Sequence, residues 1–424
     1  MIDPKVIREN YALVKKNLEM RRDSSIIKKL DNWVSQDKEW RILKQEVDDL
    51  RAKRNTITEE IKVAKAKGKD MKPLLEKAKS LPNEIKKKEV RLKELELENR
   101  PLLMSIPNML LDDVPYGKDG TENVVVRKGG EISKKDFEVV HHGQVASKLG
   151  VADFERAVKI SGEGFYSLKG DLALLNLALV NFAVDLLGKK GFRLVIPPAM
   201  MTKKAYEGVT DLSDFESVMY KIEGEDHYMI ATAEHPLTAM HMDETFEEKD
   251  LPLLYVGYST NFRKESGRHG LEERGLFRLH QFDKVEQIVF CKTEDSSKWH
   301  EELVKNAEEF VKAMELPYRV IKICTGDIGT VAAKKYDIEC WSPREQSYFE
   351  THSLSNCTSY QASRLNIKYR KGSEKEFVHT LNATEVAIPR MLRAIIENHQ
   401  TKQGTIKIPK ALVPYMNGKT EIKA

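Results

Sequence analysis

The sequence predicts an α+β protein, with an N-terminal antiparallel helical hairpin followed by a domain built on a largely antiparallel β-sheet flanked by helices. Three observations carry this. From about Asp37 to Glu98, Lys, Arg and Glu dominate, and apolar residues recur with the period of helices wound around each other. From about Ser105 onward Gly and Pro return, and short β-rich runs alternate with helical patterns. Between residues 190 and 382 strands predominate without the regular strand–helix alternation of a doubly wound sheet.

The hairpin follows from two apolar series. The first runs Leu43, Val47, Leu50, Ile57, Ile61 and Ala64, with Arg54 at the one polar seam position. The second runs Ala78, Leu81, Ile85, Leu92 and Leu95, interrupted by Lys88. Between them Gly68 can take the left-handed conformation that a reversal needs. The boundaries expected are 1–104 for the N-terminal domain, with its arm at about 37–98, and 105–424 for the second domain. In the latter, strands are expected at Asn123 to Arg127, Phe192 to Ile196, Leu253 to Tyr258, Lys284 to Phe290 and Tyr318 to Ile323, and helices at 172–189, 296–315 and 384–399.

Charge is unevenly shared. The whole chain has 70 Lys+Arg against 66 Asp+Glu, a formal net of +4. Residues 41–100 hold 18 and 12 of these, a net of +6, which leaves 52 and 54, or −2, for the rest. A charge run on helices is often just a solvated face. Positive charge concentrated on one hairpin, mostly from Lys62 to Lys88, also suits a phosphate backbone. The four cysteines, Cys291, Cys324, Cys340 and Cys357, form no CxxC pair, which argues against a zinc knuckle and against a disulfide framework. The N-terminus lacks an apolar run of signal-peptide length, and no stretch of about 18 uninterrupted apolar residues occurs. A cytoplasmic protein with reduced thiols and no membrane span is expected.

The chemistry concentrates in NFRKESGRHGLEERGLFRLHQFDKVEQIVF, residues 261–290. It reads as a β-hairpin: Phe262-Arg263 end one strand, a long loop containing Gly267, Gly270 and Gly275 follows, and Phe277 to Phe282 open a second strand that runs through Glu286. Alternation puts Arg278, His280, Phe282, Lys284 and Glu286 on one face. Arginine forks suit phosphate, an aromatic suits a purine, and a carboxylate suits an ammonium group. A surface strand of paired charges is the plain alternative. Further on, Glu350 and Ser353 lie three residues apart among polar neighbours and can share a hard cation such as Mg²⁺, although turns and caps use the same residue types. Arg390 lies near the start of an amphipathic helix whose apolar face includes Met391, Leu392, Ile395 and Ile396.

These segments resemble class II aminoacyl-tRNA synthetases. Phe262-Arg263 with Phe277-Arg278-x-His280-Gln281-Phe282-x-Lys284-x-Glu286 is similar to motif 2, Leu381 to Arg390 to motif 3, and Gly191 to Pro198 to motif 1, a dimer motif. Within the class, Thr232-Ala233-Glu234, the FRLHQF strand, SNCTSYQASR, the C-terminal ENHQ and PYMNG segments and the basic hairpin look like seryl-tRNA synthetases. The resemblance covers essentially the whole chain. It implies a homodimer that joins L-serine to ATP, releases pyrophosphate and passes serine to tRNA(Ser), with tRNA(Sec) as a second acceptor. It further implies that Arg263 and Arg278 are the catalytic cations. ATP would be held by Arg263, Lys264, Glu265, Arg278, Leu279, Phe282, Glu350, Ser353 and Arg390, with Phe282 and Arg390 on either side of adenine. Serine would be held by Thr232, Ala233, Glu234, Arg263, Glu286, Asn382 and Thr384, and Mg²⁺ by Glu350 and Ser353.

Two places depart from the commoner pattern. Glu385 sits where a small residue is usual, with Ala383 after Asn382, and Ser342-Pro343-Arg344-Glu345 replaces a Pro-Gly turn. The scattered cysteines and the arm point away from the family's zinc-dependent branch. Two readings from other classes compete. A ligase that passes an amino acid to a carrier protein would not need the heptads. A non-catalytic RNA-binding paralogue would not need Arg263, Glu265, Arg278, Phe282, Glu286, Glu350 and Arg390 intact.

Overall fold

A computed structural model describes residues 1–212, 216–265 and 275–424. The chain divides into two compact units, one of Ile2–Glu19 with Asp23–Pro107, the other of Asn108–Ala424 with Met1 and Met20–Arg22.

The first unit is helical: α1 (Pro4–Glu9), α2 (Tyr11–Glu19), α3 (Ser24–Ala66) and α4 (Lys72–Met104). Asp3 and Asp23 accept hydrogen bonds from the backbone amides of Lys5 and Ser25, satisfying orphan donors at the starts of α1 and α3. α3 and α4 form the hairpin. Val47, Ile57 and Ala64 of α3 and Leu81, Ile85 and Leu95 of α4 are buried along the seam. The two polar interruptions differ: Lys88 reaches Glu46 across the hairpin at 2.7 Å, whereas Arg54 is exposed. Gly68 has φ +64° at the reversal, as its position suggested. α3 starts well before residue 37 because Ile26, Leu30 and Trp33 continue its apolar series and are buried. Asp37 is buried with them and takes Arg8 at 2.6 Å and Arg41 at 2.9 Å.

The second unit is built on an eight-stranded sheet: β1 (Val124–Gly129), β2 (Arg193–Val195), β3 (Leu253–Phe262), β4 (Gln281–Cys291), β5 (Tyr318–Lys322), β6 (Lys334–Ser342), β7 (Ser347–Asn356) and β8 (His379–Ala387). Their spatial order is β1-β5-β6-β7-β8-β4-β3-β2, antiparallel except where β2 lies parallel to β3. Among the described residues its α-helices include α5 (His142–Lys148), α6 (Phe154–Ser161), α7 (Gly170–Gly188), α8 (Lys203–Val209), α9 (Glu234–Ala239), α10 (Ser296–Ala313), α11 (Tyr360–Leu365) and α12 (Ile388–His399).

Both sheet faces are covered, and alternation along β4 shows how. Val285, Val289 and Cys291 enter a core shared with α7, α10 and α12. Ile288 and Phe290 enter a second core with Tyr206, Tyr228, Leu237 and Tyr369. By length and apolarity α7 is one helix, among the described residues, that could cross a membrane; here Leu172, Leu175, Leu179, Ala183 and Leu187 are buried in the first core.

Two sequence expectations need correction. The strand expected from Phe277 begins only at Gln281, so Arg278 and His280 precede it; His280 stacks on Phe165 with ring centroids 5.3 Å apart and bonds Tyr220 Oη at 2.6 Å. The helix expected from residue 384 begins at Ile388, because Thr384, Val386 and Ala387 still pair with Glu286, Val285 and Lys284 of β4. Pro389 then occupies the first turn, where no amide donor is needed. The loop glycines Gly267 and Gly270 lie outside the described residues.

Leu95 is fully buried in the hairpin seam. Leu95→Ala should therefore cost the helical unit about 2–5 kcal/mol, read as an earlier urea transition by circular dichroism. Arg54→Ala, at an exposed position, should change it by no more than about 0.5 kcal/mol.

Candidate active site

A cavity of about 530 Å³ opens on the face of β4 that carries Phe282, Lys284 and Glu286. Three local features bring distant residues to it. Glu286 pairs in register with Gly257 of β3 on one side and Thr384 of β8 on the other. At Gly257 a Cβ would sit 2.9 Å from Ala233 Cβ, so glycine there lets the start of α9, with Thr232 and Glu234, approach the sheet. On β7 the register against β6 shifts between Glu350 and His352. That bulge turns Glu350 and Ser353, three residues apart, to the same side, where both line the cavity. A second shift in β8, between Thr384 and Val386, leaves Asn382, Thr384 and Ala387 on the cavity wall.

That second bulge accounts for Glu385. Its side chain is fully buried and takes a hydrogen bond from Gln287 Nε2 at 2.8 Å, while Gln287 also accepts from Asn306 of α10. Gln287 and Asn306 are not cavity residues, so Glu385 serves the packing behind the site. Burial pushes its carboxyl well above the ordinary range.

One end of the cavity is a buried polar cluster. Glu286 accepts from Thr232 Oγ1 at 2.5 Å and from the Glu234 amide at 3.0 Å, and its carboxylate meets Lys284 Nζ at 2.9 Å. Lys284 also donates to Thr232 Oγ1 at 2.6 Å. Gln361 Nε2 holds Glu234 Oε1 at 2.7 Å, and Asn382 Nδ2 donates to Cys357 Sγ at 3.5 Å. Burial, and then the charge of Glu286, push the Glu234 carboxyl up to about 7. Burial lowers Lys284, with Glu286 opposing. Two carboxylates and one buried ammonium beside hydroxyl and amide groups suit a small ligand carrying its own ammonium and hydroxyl.

The other end carries guanidinium and aromatic groups. Arg263 lies over the Phe282 ring at 5.3 Å and donates Nε–H to the Ala231 carbonyl at 3.2 Å. Burial, then Arg390, depress its pKa. Arg390 lies over Phe277 at 5.4 Å and pairs with Glu350 at 2.9 Å. Burial opposes ionisation of Glu350, but Arg390 and Lys335 outweigh it and hold the carboxyl below its ordinary value. Lys335 pairs with Asp337 at 3.2 Å, and Asp337 lies opposite Ser353 in register. Aromatic faces, cations and hard oxygen donors together suit a nucleotide with a polyphosphate chain.

The structure thus brings Thr232, Glu234, Arg263, Glu265, Leu279, Phe282, Glu286, Glu350, Ser353, Asn382, Thr384 and Arg390 to one cavity. Three expected residues are not on its wall. Ala233 is fully buried in the second core. Lys264 lies over the Tyr220 ring at 5.9 Å, and Arg278 pairs with Glu265 at 2.9 Å. Sequence reasoning gave no role to Lys335 and Cys357, which line the cavity, nor to Gln361, which orients Glu234. The alternation of Lys335, Asp337 and Glu339 along β6 was a readable signal for the first; Cys357 and Gln361 carry none outside the fold.

Comparison with known proteins identifies the family. Residues 1–110 match the seryl-tRNA synthetase N-terminal domain, and residues 218–399 the class II tRNA synthetase core domain (G, H, P, S and T). A serine–tRNA ligase of Methanocella arvoryzae is 53% identical over 421 residues, 99% of each chain. The seryl-tRNA synthetase of Pyrococcus horikoshii, solved in complex with ATP, superposes with a TM-score of 0.94 at 44% identity, covering 100% of this chain and 99% of that one. The cytoplasmic serine–tRNA ligase of Naegleria fowleri, solved with AMP, gives 0.89 at 35% identity with the same coverage. Similarity of this extent, over both units and the cavity, places the chain in the seryl-tRNA synthetase family, the serine–tRNA ligases among the class II aminoacyl-tRNA synthetases.

Proposed function

We propose that the cavity performs both steps of serylation, and that the residues gathered on it act as their chemistry suggests. The observation that carries this is the convergence of Arg263, Phe282, Glu286, Glu350, Asn382 and Arg390 on one wall in a chain of this family. Serine sits at the polar end, its ammonium facing Glu234 and Glu286 and its hydroxyl within reach of Thr232, Asn382 and Thr384. A site built to bond a hydroxyl rejects alanine, because its buried polar groups would be left unpaired. ATP lies along the other end, adenine against Phe282 and Arg390 and read by Glu265, with Leu279 beneath it. Arg278 then takes the terminal phosphate, exchanging its pairing with Glu265 for one with ATP.

The serine carboxylate attacks the α-phosphorus in line, forming seryl-adenylate as pyrophosphate leaves. The terminal adenosine hydroxyl of tRNA next attacks the acyl carbonyl and releases AMP. No side chain of this chain becomes a nucleophile. Arg263 holds the α-phosphate beside the serine carboxylate, and catalysis is positioning plus neutralisation of developing charge. Glu350 and Ser353, turned to one side by the β7 bulge, fit a Mg²⁺ through oxygen donors, and the ion when bound spreads the charge of the phosphates.

The basic hairpin grips tRNA(Ser) by its phosphate backbone, and tRNA(Sec) by the same contacts, positioning it without reading bases. On this reading residues 1–104 are the tRNA-binding domain and 105–424 the catalytic one. The chain acts in the cytoplasm as a homodimer; Leu177, Leu194, Ile196 and Met200, in or near α7 and β2, are exposed apolar side chains of the kind a second copy would cover.

Arg263→Ala should lower serine-dependent ATP–pyrophosphate exchange by at least about 10²–10³-fold; near-normal exchange removes the assignment. Deleting about residues 30–100 should spare exchange and abolish tRNA charging, whereas equal loss of both would make the arm a support of the fold. The pH dependence follows from Glu234. With its carboxyl pushed up to about 7, it is protonated below that pH and cannot pair with an ammonium. The KM for serine should therefore fall as pH rises through about 7, with the KM for ATP flat. The folded state favours the protonated form, so ligand-free stability should decline as pH rises from about 4.5, the ordinary carboxyl value, to about 7 and level off above it. A serine KM unchanged from acid to alkaline side of that window overturns the role given to Glu234.

A further inference from the structure

The turn at Ser342–Glu345 and the helix behind Arg390 have no part in the proposed chemistry, yet they converge on one buried carboxylate. Glu397 of α12 is fully buried. Its Oε1 accepts from Arg393 Nε at 3.2 Å and lies 2.9 Å from His142 Nδ1; its Oε2 accepts from Ser342 Oγ at 2.5 Å. The Ser342 hydroxyl in turn accepts from the Glu345 amide at 3.1 Å, and Glu345 pairs with Arg393. The unusual turn is thus built into the floor of α12.

His142, the first residue of α5, is also fully buried, and the Leu276 amide donates to its Nε2 at 3.0 Å. With Nε2 accepting, Nδ1 carries the proton and donates to Glu397, so the two partners select one neutral tautomer. Gly275 has φ +78°, and a Cβ there would sit 2.6 Å from His142 Nε2. The segment entering β4 is therefore seated directly on this imidazole. One residue further on, Phe277 forms cavity wall, with the Arg393 guanidinium 4.5 Å and the Arg390 guanidinium 5.4 Å from its ring centre. Phe349 also meets the Arg393 guanidinium at 4.3 Å, its ring edge-on to that of Phe277 with centroids 5.8 Å apart.

We infer that His142 and Glu397 are positioning residues for ATP: through the Leu276 amide they fix where Phe277 meets Arg390, and so the shape of the nucleotide end of the cavity. The inference rests on the assignment of that end to ATP. None of the hydrogen bonds in this network reaches Thr232, Glu234 or Glu286, so the serine end is independent of it.

Two substitutions separate positioning from mere packing. In His142→Asn the amide can still donate to Glu397, but the Leu276 N–H loses its acceptor; in His142→Gln the longer side chain can still accept from Leu276. His142→Asn should raise the KM for ATP in pyrophosphate exchange about tenfold or more, leaving the KM for serine within about twofold, and His142→Gln should recover most of the ATP KM. Amide hydrogen exchange on the ligand-free protein should show Leu276 deprotected in His142→Asn and protected in His142→Gln. An unchanged ATP KM in His142→Asn overturns the inference. So does a parallel rise of both KM values with a lowered Tm, or a Gln variant no better than the Asn variant. If the unsubstituted protein catalyses no serine-dependent exchange, the assignment of the cavity fails instead. The pair is then judged on Leu276 protection, and equal protection in both variants overturns it.

Discussion

Glu286 is the group on which the rest of the site depends. It is almost wholly buried, and its carboxylate is the meeting point of the Thr232 hydroxyl, the Glu234 amide and the Lys284 ammonium. A charge taken out of water is tolerated only when paired and hydrogen-bonded, and breaking such a pair leaves the other charge uncompensated. The bonds of Glu286 and Lys284 to Thr232, and of Glu286 to the Glu234 amide, therefore tie β4 to the start of α9. The in-register neighbours, Gly257 and Thr384, follow: one gives room for α9, the other adds a hydroxyl to the wall.

The nucleotide end obeys the same rule in another way. Its cations and carboxylates pair with each other: Arg278 with Glu265, Arg390 with Glu350, Lys335 with Asp337. These are the pairings that an incoming polyphosphate and its metal would exchange for their own. On the proposed mechanism, which uses no side-chain nucleophile, positioning and neutralisation of developing charge carry the catalysis.

Much of this was legible in the linear sequence. The heptads announced the hairpin, Gly68 its reversal, and the alternation of Phe282, Lys284 and Glu286 the cavity-lining face of β4. What misled was length. Periodicity carried the β4 strand back to Phe277 and the α12 helix back to residue 384, because a strand that ends in a turn and a strand that runs into a helix look alike without their partners. The departures at Ser342–Glu345 and Glu385 were visible as oddities but not as functions. Their partners, Glu397 and Gln287, are 55 and 98 residues away.

The sequence by itself determined the helical arm, the concentration of positive charge on it, and most of the polar side chains that line the cavity, since each rests on composition and short-range period. Only the tertiary structure decided how those side chains face one another. Glu350 and Ser353 share a face because of a bulge in the pairing of β6 with β7, and Glu385 turns away from the cavity at another in the pairing of β8 with β4. A bulge is a property of two strands in register, set by burial on both faces of the sheet, and one strand read alone does not contain it.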